Sequence, residues 1–212
     1  MKYENVDRLL QSFVDQGLPG CTLHIAQHGK TLYEGCFGYA DVENKVKMTP
    51  SNVFRMASMS KLPLYTTLMV LYERGLLVMD DPISKYFPEW KTSKKVVRDA
   101  DGTERAVPTD RPVLVKDVMT MACGLPYCFP AMKDSKNFTE RSMASCLAPL
   151  WDKGSYGLRE EIRALSEAVL AFEPGTHWMY GYSSELAAGL IEAICDKPAN
   201  DAFADILFKP LG

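Results

Sequence analysis

Between residues 3 and 16 apolar side chains recur at helical spacing (Tyr3, Val6, Leu9, Leu10, Phe13, Val14), and Gly17, Pro19 and Gly20 stop the run. The pattern predicts an amphipathic helix. Two β-rich runs follow, 21–27 and 31–39, and the link His28-Gly29-Lys30 fits a hairpin in which Gly29 supplies a positive φ. Two strands alone are marginal in water, so the hairpin is expected to belong to a larger sheet or to lie under a helix. From Phe54 to Leu77 the chain is apolar nearly all round (Leu62, Leu64, Leu68, Met69, Val70, Leu71), which predicts a helix buried at the centre of a domain and ended by Gly75. Asp101-Gly102, set between Val96-Val97 and Ala106-Val107, predicts a surface hairpin. Further helices are expected over 115–121, closed by Gly124 and Pro126, then near 138–147, over 158–170, over 185–194 and over 202–207. The stretch 127–157 is the least regular and reads as a variable insertion.

Composition narrows the class. The chain has 212 residues, 47% apolar and 24% charged, enough to bury a sizeable core. Twenty-four basic residues are scattered among 27 acidic ones, for a formal net charge of -3, so there is no electrostatic footprint for nucleic acid. The start, Met1-Lys2-Tyr3-Glu4-Asn5, lacks the basic and apolar regions of a signal peptide, and no apolar run approaches the ~20 residues that span a bilayer. A cytoplasmic protein without a membrane partner is expected. The six cysteines (Cys21, Cys36, Cys123, Cys128, Cys146, Cys195) are widely and irregularly spaced without C-x-x-C, the pattern of ordinary reduced cysteines. His24 and His28 have zincin-like spacing but sit in a strand, where i and i+4 lie ~13 Å apart. No metal or other cofactor is expected.

Ser58-Met59-Ser60-Lys61 fits S-x-x-K, and in one turn of helix the i and i+3 side chains are neighbours, so a lysine amine can reach the serine hydroxyl. A serine alcohol needs a base to take its proton, and a lysine can serve if burial or a nearby cation lowers its pKa. The apolar helix after Lys61 is expected to supply that burial. At a helix start, Ser58 would also present its backbone N–H to a developing oxyanion at the positive end of the dipole. Alone the motif is weak, because an N-cap serine followed by a solvated lysine has the same spelling.

The surrounding sequence decides between them. The run from Thr49 through Phe54-Arg55-Met56-Ala57-Ser58-Met59-Ser60-Lys61 resembles the nucleophile segment of the serine β-lactamase and penicillin-binding family, which includes class C β-lactamases, D-alanyl-D-alanine peptidases and β-lactamase-like esterases. Tyr72-Glu73-Arg74-Gly75-Leu76-Leu77, Asp80-Asp81-Pro82-Ile83 and Tyr86-Phe87-Pro88-Glu89-Trp90 are similar to the segments that follow it there. Val115-Lys116-Asp117-Val118-Met119 to Gly124-Leu125-Pro126 is similar to the next helix and turn, with Ala122-Cys123 where Thr-Ser is usual. Glu173-Pro174-Gly175, Tyr180-Gly181-Tyr182-Ser183-Ser184 and Pro210-Leu211-Gly212 complete the resemblance in order along the chain. It implies an α+β fold of that family: residues 1–53 as the helix and hairpin of an incomplete antiparallel sheet region, 54–195 as a mostly helical region, and 196–212 as the start of a return to the sheet.

The resemblance also implies roles. Ser58 would be the nucleophile and Lys61 its activator. Tyr182, as the tyrosine of the family's Tyr-x-Asn motif, would share the proton with Lys61 and pass it to the leaving group, and Ser184 would stand in the Asn place as a substrate-binding residue. Tyr180, two residues upstream, competes for the tyrosine's place, but Pro-Gly and the following helix favour Tyr182. The third family motif, Lys-Thr-Gly or His-x-Gly, has no copy downstream of Tyr182; Lys91-Thr92-Ser93 and Asp152-Lys153-Gly154 are misplaced for it. Relatives continue past Pro-Leu-Gly, so a truncated chain is expected, self-associating through an open sheet edge and slow in turnover. The function expected is a serine acyl hydrolase on a small ester or amide, a carboxylesterase in preference to a β-lactamase. The competing expectation is a non-catalytic penicillin-recognition module or an inactive fragment.

Overall fold

The computed structural model describes residues 3–212; Met1 and Lys2, part of the stretch searched above for a leader, lie outside the described residues. The chain divides into two compact units, the first ending at Ala57 and the second running from Ser58 to Gly212.

In the first unit the predicted helix α1 (Glu4–Asp15) is followed by the hairpin of β1 (Gly20–Gln27) and β2 (Lys30–Asp41). Its turn has two residues rather than three. His28 and Gly29 are both left-handed, with φ of 50° and 73°, and Gln27 pairs with Lys30, the twist that suits a tight hairpin. The sheet also gains a strand that the pattern did not announce: β3 (Val46–Lys47) pairs antiparallel with the end of β2. The Tyr33 hydroxyl on β2 donates to Asp7 on α1 at 2.5 Å and ties helix to sheet.

The second unit is built around α2 (Lys61–Glu73) and α6 (Ser183–Cys195), which pack together. Leu64, Thr67, Leu68 and Leu71 of α2 are buried, as are Leu186, Ala187, Leu190 and Ile191 of α6. The helix expected from residue 54 starts seven residues later. Residues 52–56 are irregular, Ala57 is left-handed with φ 45°, and a 3-10 turn, Ala57–Ser60, leads into α2. Pro63 suits the late start: a proline has no N–H and its ring strikes the carbonyl four residues back, so it costs least in the first turn of a helix, where it falls in α2. Nor is α2 buried all round, since Leu62, Met69 and Tyr72 are exposed.

The region expected to be mostly helical contains a small sheet. The hairpin predicted around Asp101-Gly102 forms from β4 (Lys94–Arg98) and β5 (Glu104–Pro108). Past α3 (Val115–Met119), α4 (Phe138–Lys153) and α5 (Leu158–Ser166), a two-residue strand β6 (Val169–Leu170) pairs parallel with β4. The helix expected to reach residue 170 stops at Ser166 because Val169 is drawn away: its N–H donates to the Ser142 hydroxyl on α4 at 2.9 Å. Residues 196–212 pack within this same unit through α7 (Ala199–Phe203) and the turn after it, against α2 and α6, with Ala202 wholly buried.

Among the described residues no helix is long and apolar enough to cross a membrane, and no cluster of His, Cys, Asp or Glu is placed to hold a metal ion. All six cysteines are free thiols.

Candidate active site

Two stretches far apart in sequence are clamped together in the second unit. Residues 121–126 run beside 171–182: the N–H groups of Ala171, Gly175, Met179 and Tyr182 donate to the carbonyls of Gly124, Ala122, Met121 and Leu125 at 2.8 to 3.0 Å. Pro126 and Gly181 form an antiparallel bridge in the same zone. Gly181 is required by this closeness. A Cβ there would overlap the Leu125 carbonyl oxygen and come within 2.7 Å of the Pro126 carbonyl carbon. The clamp sets Tyr127, just after one stretch, against Tyr180 of the other, with ring centroids 5.5 Å apart edge to face.

Ser58 meets this pair. Its Oγ receives a hydrogen bond from the Tyr180 hydroxyl at 2.7 Å and lies 3.3 Å from Lys61 Nζ, which also donates to it. Lys61 Nζ donates in addition to the Tyr127 hydroxyl at 3.1 Å, and it stands 4.9 Å from the centroid of the Tyr180 ring. Ser58 itself sits in the 3-10 turn that precedes α2, at the positive end of that helix.

The tyrosine expected at the nucleophile is displaced by one repeat of the motif. Tyr182 is buried, its hydroxyl donates to the Cys128 carbonyl at 3.3 Å, and burial drives its pKa far up, so it has neither the position nor the acidity to serve Ser58. The cause is local. Tyr182 is the residue at which the chain turns into α6, with φ -68° and ψ 5°, whereas Tyr180 stands before the Pro126–Gly181 bridge. Ser184, expected to touch substrate, is also buried; its hydroxyl donates to Glu185 Oε2 at 2.9 Å and lies 3.1 Å from the Tyr127 hydroxyl.

A phenol made more acidic by an adjacent ammonium, implied by the resemblance for Tyr182, is found at Tyr180, whereas the lowered Lys61 pKa expected from burial is not found. Burial acts to lower the Lys61 pKa, but hydrogen bonding to Tyr127 and Tyr180 outweighs it, and the amine is held above its ordinary range. Tyr180 moves the other way: its bond to Ser58, and then the nearby Lys61 ammonium, hold the phenol below its usual pKa. Of the two groups on Ser58, the tyrosine is the one made more acidic and the lysine the one held as a cation. Once Tyr180 is ionised its bond to Ser58 must reverse, because a phenolate only accepts, and the serine then donates the proton it has to lose. Tyr127 and Glu185 were missed in the sequence. The signal available was the Gly124-Leu125-Pro126 turn, which sends the following residue back toward the helix carrying Lys61.

Comparison with known proteins places the chain in a family. The model of the family described as Beta-lactamase covers residues 6–212. The chain is 28% identical over 202 residues to Esterase EstB of Burkholderia gladioli, covering 95% of this chain and 47% of the esterase. It is 32% identical over 139 residues to the teichoic acid D-alanine hydrolase of Staphylococcus aureus, covering 66% of this chain and 30% of that enzyme. Among solved structures it superposes on EstCE1, described as a hydrolase with promiscuous acyltransferase activity, with a TM-score of 0.78 at 25% identity, covering 99% of this chain and 51% of that one. The chain thus spans about half the length of Esterase EstB and of EstCE1.

If Gly181 holds the clamp closed, Gly181→Ala must spread it, at ~1–3 kcal/mol for a forced methyl group. The expected outcome is a lowered melting temperature together with slower labelling of Ser58 by a fluorophosphonate. Unchanged melting and labelling would show that the clamp does not position Tyr180.

Proposed function

The chain belongs to the Beta-lactamase family, and from that premise we propose that it is a serine acyl hydrolase acting on a small ester or amide through an acyl-enzyme. The observation that carries the reading is the convergence on Ser58 Oγ of the Tyr180 hydroxyl at 2.7 Å and Lys61 Nζ at 3.3 Å.

In the first half-reaction the Tyr180 phenolate takes the Ser58 proton while Oγ bonds to the acyl carbon. The carbonyl π pair moves onto oxygen, and the bond to the leaving group breaks as that pair returns. Tyr180 then hands its proton to the departing oxygen or nitrogen. In the second half the same phenolate takes a proton from a water molecule as it attacks the acyl carbon, and when the bond from that carbon to Ser58 Oγ breaks Tyr180 returns the proton to Oγ, which restores the serine and the phenolate. Lys61 stays an ammonium throughout and stabilises the phenolate. An ester is the favoured substrate over a β-lactam: the tyrosine motif reads Tyr180-Gly181-Tyr182, so a buried aromatic, and not an amide side chain, occupies the third position. The similarity to an esterase supports the same preference.

Variant kinetics with p-nitrophenyl acetate test the assignment. Ser58→Ala should abolish turnover, Tyr180→Phe should cost ~10²-fold or more, and Tyr182→Phe should keep most of the activity, because only a positioned proton carrier is expected to matter at that scale. A larger loss in Tyr182→Phe than in Tyr180→Phe would return the base to the position first expected.

The pH profile gives a second check with a definite sign. Activity should rise with pH as Tyr180 ionises. Removing the cation in Lys61→Met takes away the attraction that favours the phenolate, so the rising limb should shift to higher pH. A limb that stays in place or moves to lower pH would rule out Tyr180 as the ionising base.

A further inference from the structure

Behind Lys61 lies a hydrogen-bonded chain whose direction can be worked out by counting protons. The Tyr127 hydroxyl has three polar neighbours: Lys61 Nζ at 3.1 Å, Ser184 Oγ at 3.1 Å and Glu185 Oε1 at 3.3 Å. An ammonium only donates and a carboxylate only accepts. Tyr127 must therefore accept from Lys61 and send its single proton away from it. Ser184 gives its own proton to Glu185 Oε2 at 2.9 Å, so the proton of Tyr127 goes to Glu185 directly or to a serine oxygen already polarised by Glu185. Both routes end on the same carboxylate.

A glutamate in the first turn of a helix commonly reaches back to cap it, bonding the N–H of the residue before the helix. Glu185 does not have that role. The N–H it would cap, that of Tyr182, donates to the Leu125 carbonyl at 3.0 Å, and the carboxylate faces Tyr127 and Ser184 instead. We propose that Glu185 is a positioning residue of the Ser58 site: by taking the proton of Tyr127 it fixes that phenol oxygen as an acceptor, which holds Lys61 as a cation beside Ser58 and Tyr180. The inference rests on the hydrolase reading for its kinetic consequence, although the orientation of Tyr127 can be read without turnover. The titratable groups that act with Glu185 are Lys61 and Tyr65 from α2, Tyr127 from the loop, Glu161 from α5, and Tyr180 and Tyr182 beside it. Glu161 is the second carboxylate of this set, and burial, reinforced by the charge of Glu185, raises its pKa to about 7.

The test combines Glu185→Ala and Glu185→Gln with Tyr127→Phe. In the first measurement, the acylation burst with p-nitrophenyl acetate, Glu185→Ala should slow acylation ~10-fold to 100-fold with KM within about twofold, the scale of a misplaced reacting group. Glu185→Gln, which keeps an acceptor oxygen and the side-chain shape, should recover most of the rate. In a Tyr127→Phe background Glu185→Ala should cost less than about twofold, since the partner it acts through is gone. The second measurement needs no turnover: the rate at which trinitrobenzenesulfonate modifies Lys61, read by peptide mapping, should rise ~3-fold or more near pH 8 in Glu185→Ala as the amine loses its enforced acceptor. An equal loss with and without Tyr127, or an unchanged Lys61 modification rate, would overturn the proposal. An unacylated wild-type chain would count against the hydrolase reading alone, and the Lys61 modification rate would then decide the role of Glu185 by itself.

Discussion

The 2.7 Å contact between Tyr180 and Ser58 joins residues 122 positions apart, and it is maintained by backbone pairing next to Tyr180. Residues 121–126 and 171–182 exchange main-chain hydrogen bonds, and the absence of a side chain at Gly181 lets them approach closely. That approach fixes where α6 begins, which tyrosine stands before the Pro126–Gly181 bridge and where Tyr127 emerges. A site assembled this way depends on strand-like pairing more than on the helix that carries Lys61. The helix contributes a different constraint: it starts at Lys61, with Pro63 in its first turn, so Ser58 is left in the tight turn before α2, where its hydroxyl is accessible.

Two tyrosines separated by one glycine illustrate how environment sets chemical role. Tyr180 is half-exposed, bonded to Ser58 and close to an ammonium, and its phenol is made more acidic. Tyr182 is buried against Cys128 and Tyr127, and its phenol is made less so. The same division assigns Lys61. A lysine acting as free base would need desolvation to dominate; here hydrogen bonds to two phenols dominate instead, which suits a fixed cation. The polar chain Lys61–Tyr127–Glu185, with Ser184 bracing it, turns that cation into a structural property of the unit.

Much of this was legible in the residues. The α1 periodicity, the hairpin around Gly29, the Asp101-Gly102 hairpin and the S-x-x-K turn all formed where apolar period and turn chemistry placed them. The errors were of two physical kinds. Apolar composition along 54–77 predicts a continuous buried helix, although Pro63 disfavours a start at 54 and only one face is covered. The tyrosine was assigned by its spacing to the following helix, when what decides its direction is the φ and ψ of the residue at the turn into that helix. Spacing alone does not encode that rotation. Tyr127 and Glu185 lie in segments with no catalytic signature, and they become functional only when tertiary pairing brings them to Lys61; β6 likewise exists because Ser142 and β4 offer partners to two residues that a helical period would claim.

The central claim is that Ser58 is an activated nucleophile because Tyr180 and Lys61 share its hydroxyl. Intact-mass analysis after brief exposure to a fluorophosphonate, followed by peptide mapping, measures this directly. The account predicts one adduct per chain on the peptide containing Ser58, formed much more slowly in Tyr180→Phe. An adduct on another residue, or equal labelling without Tyr180, would contradict it.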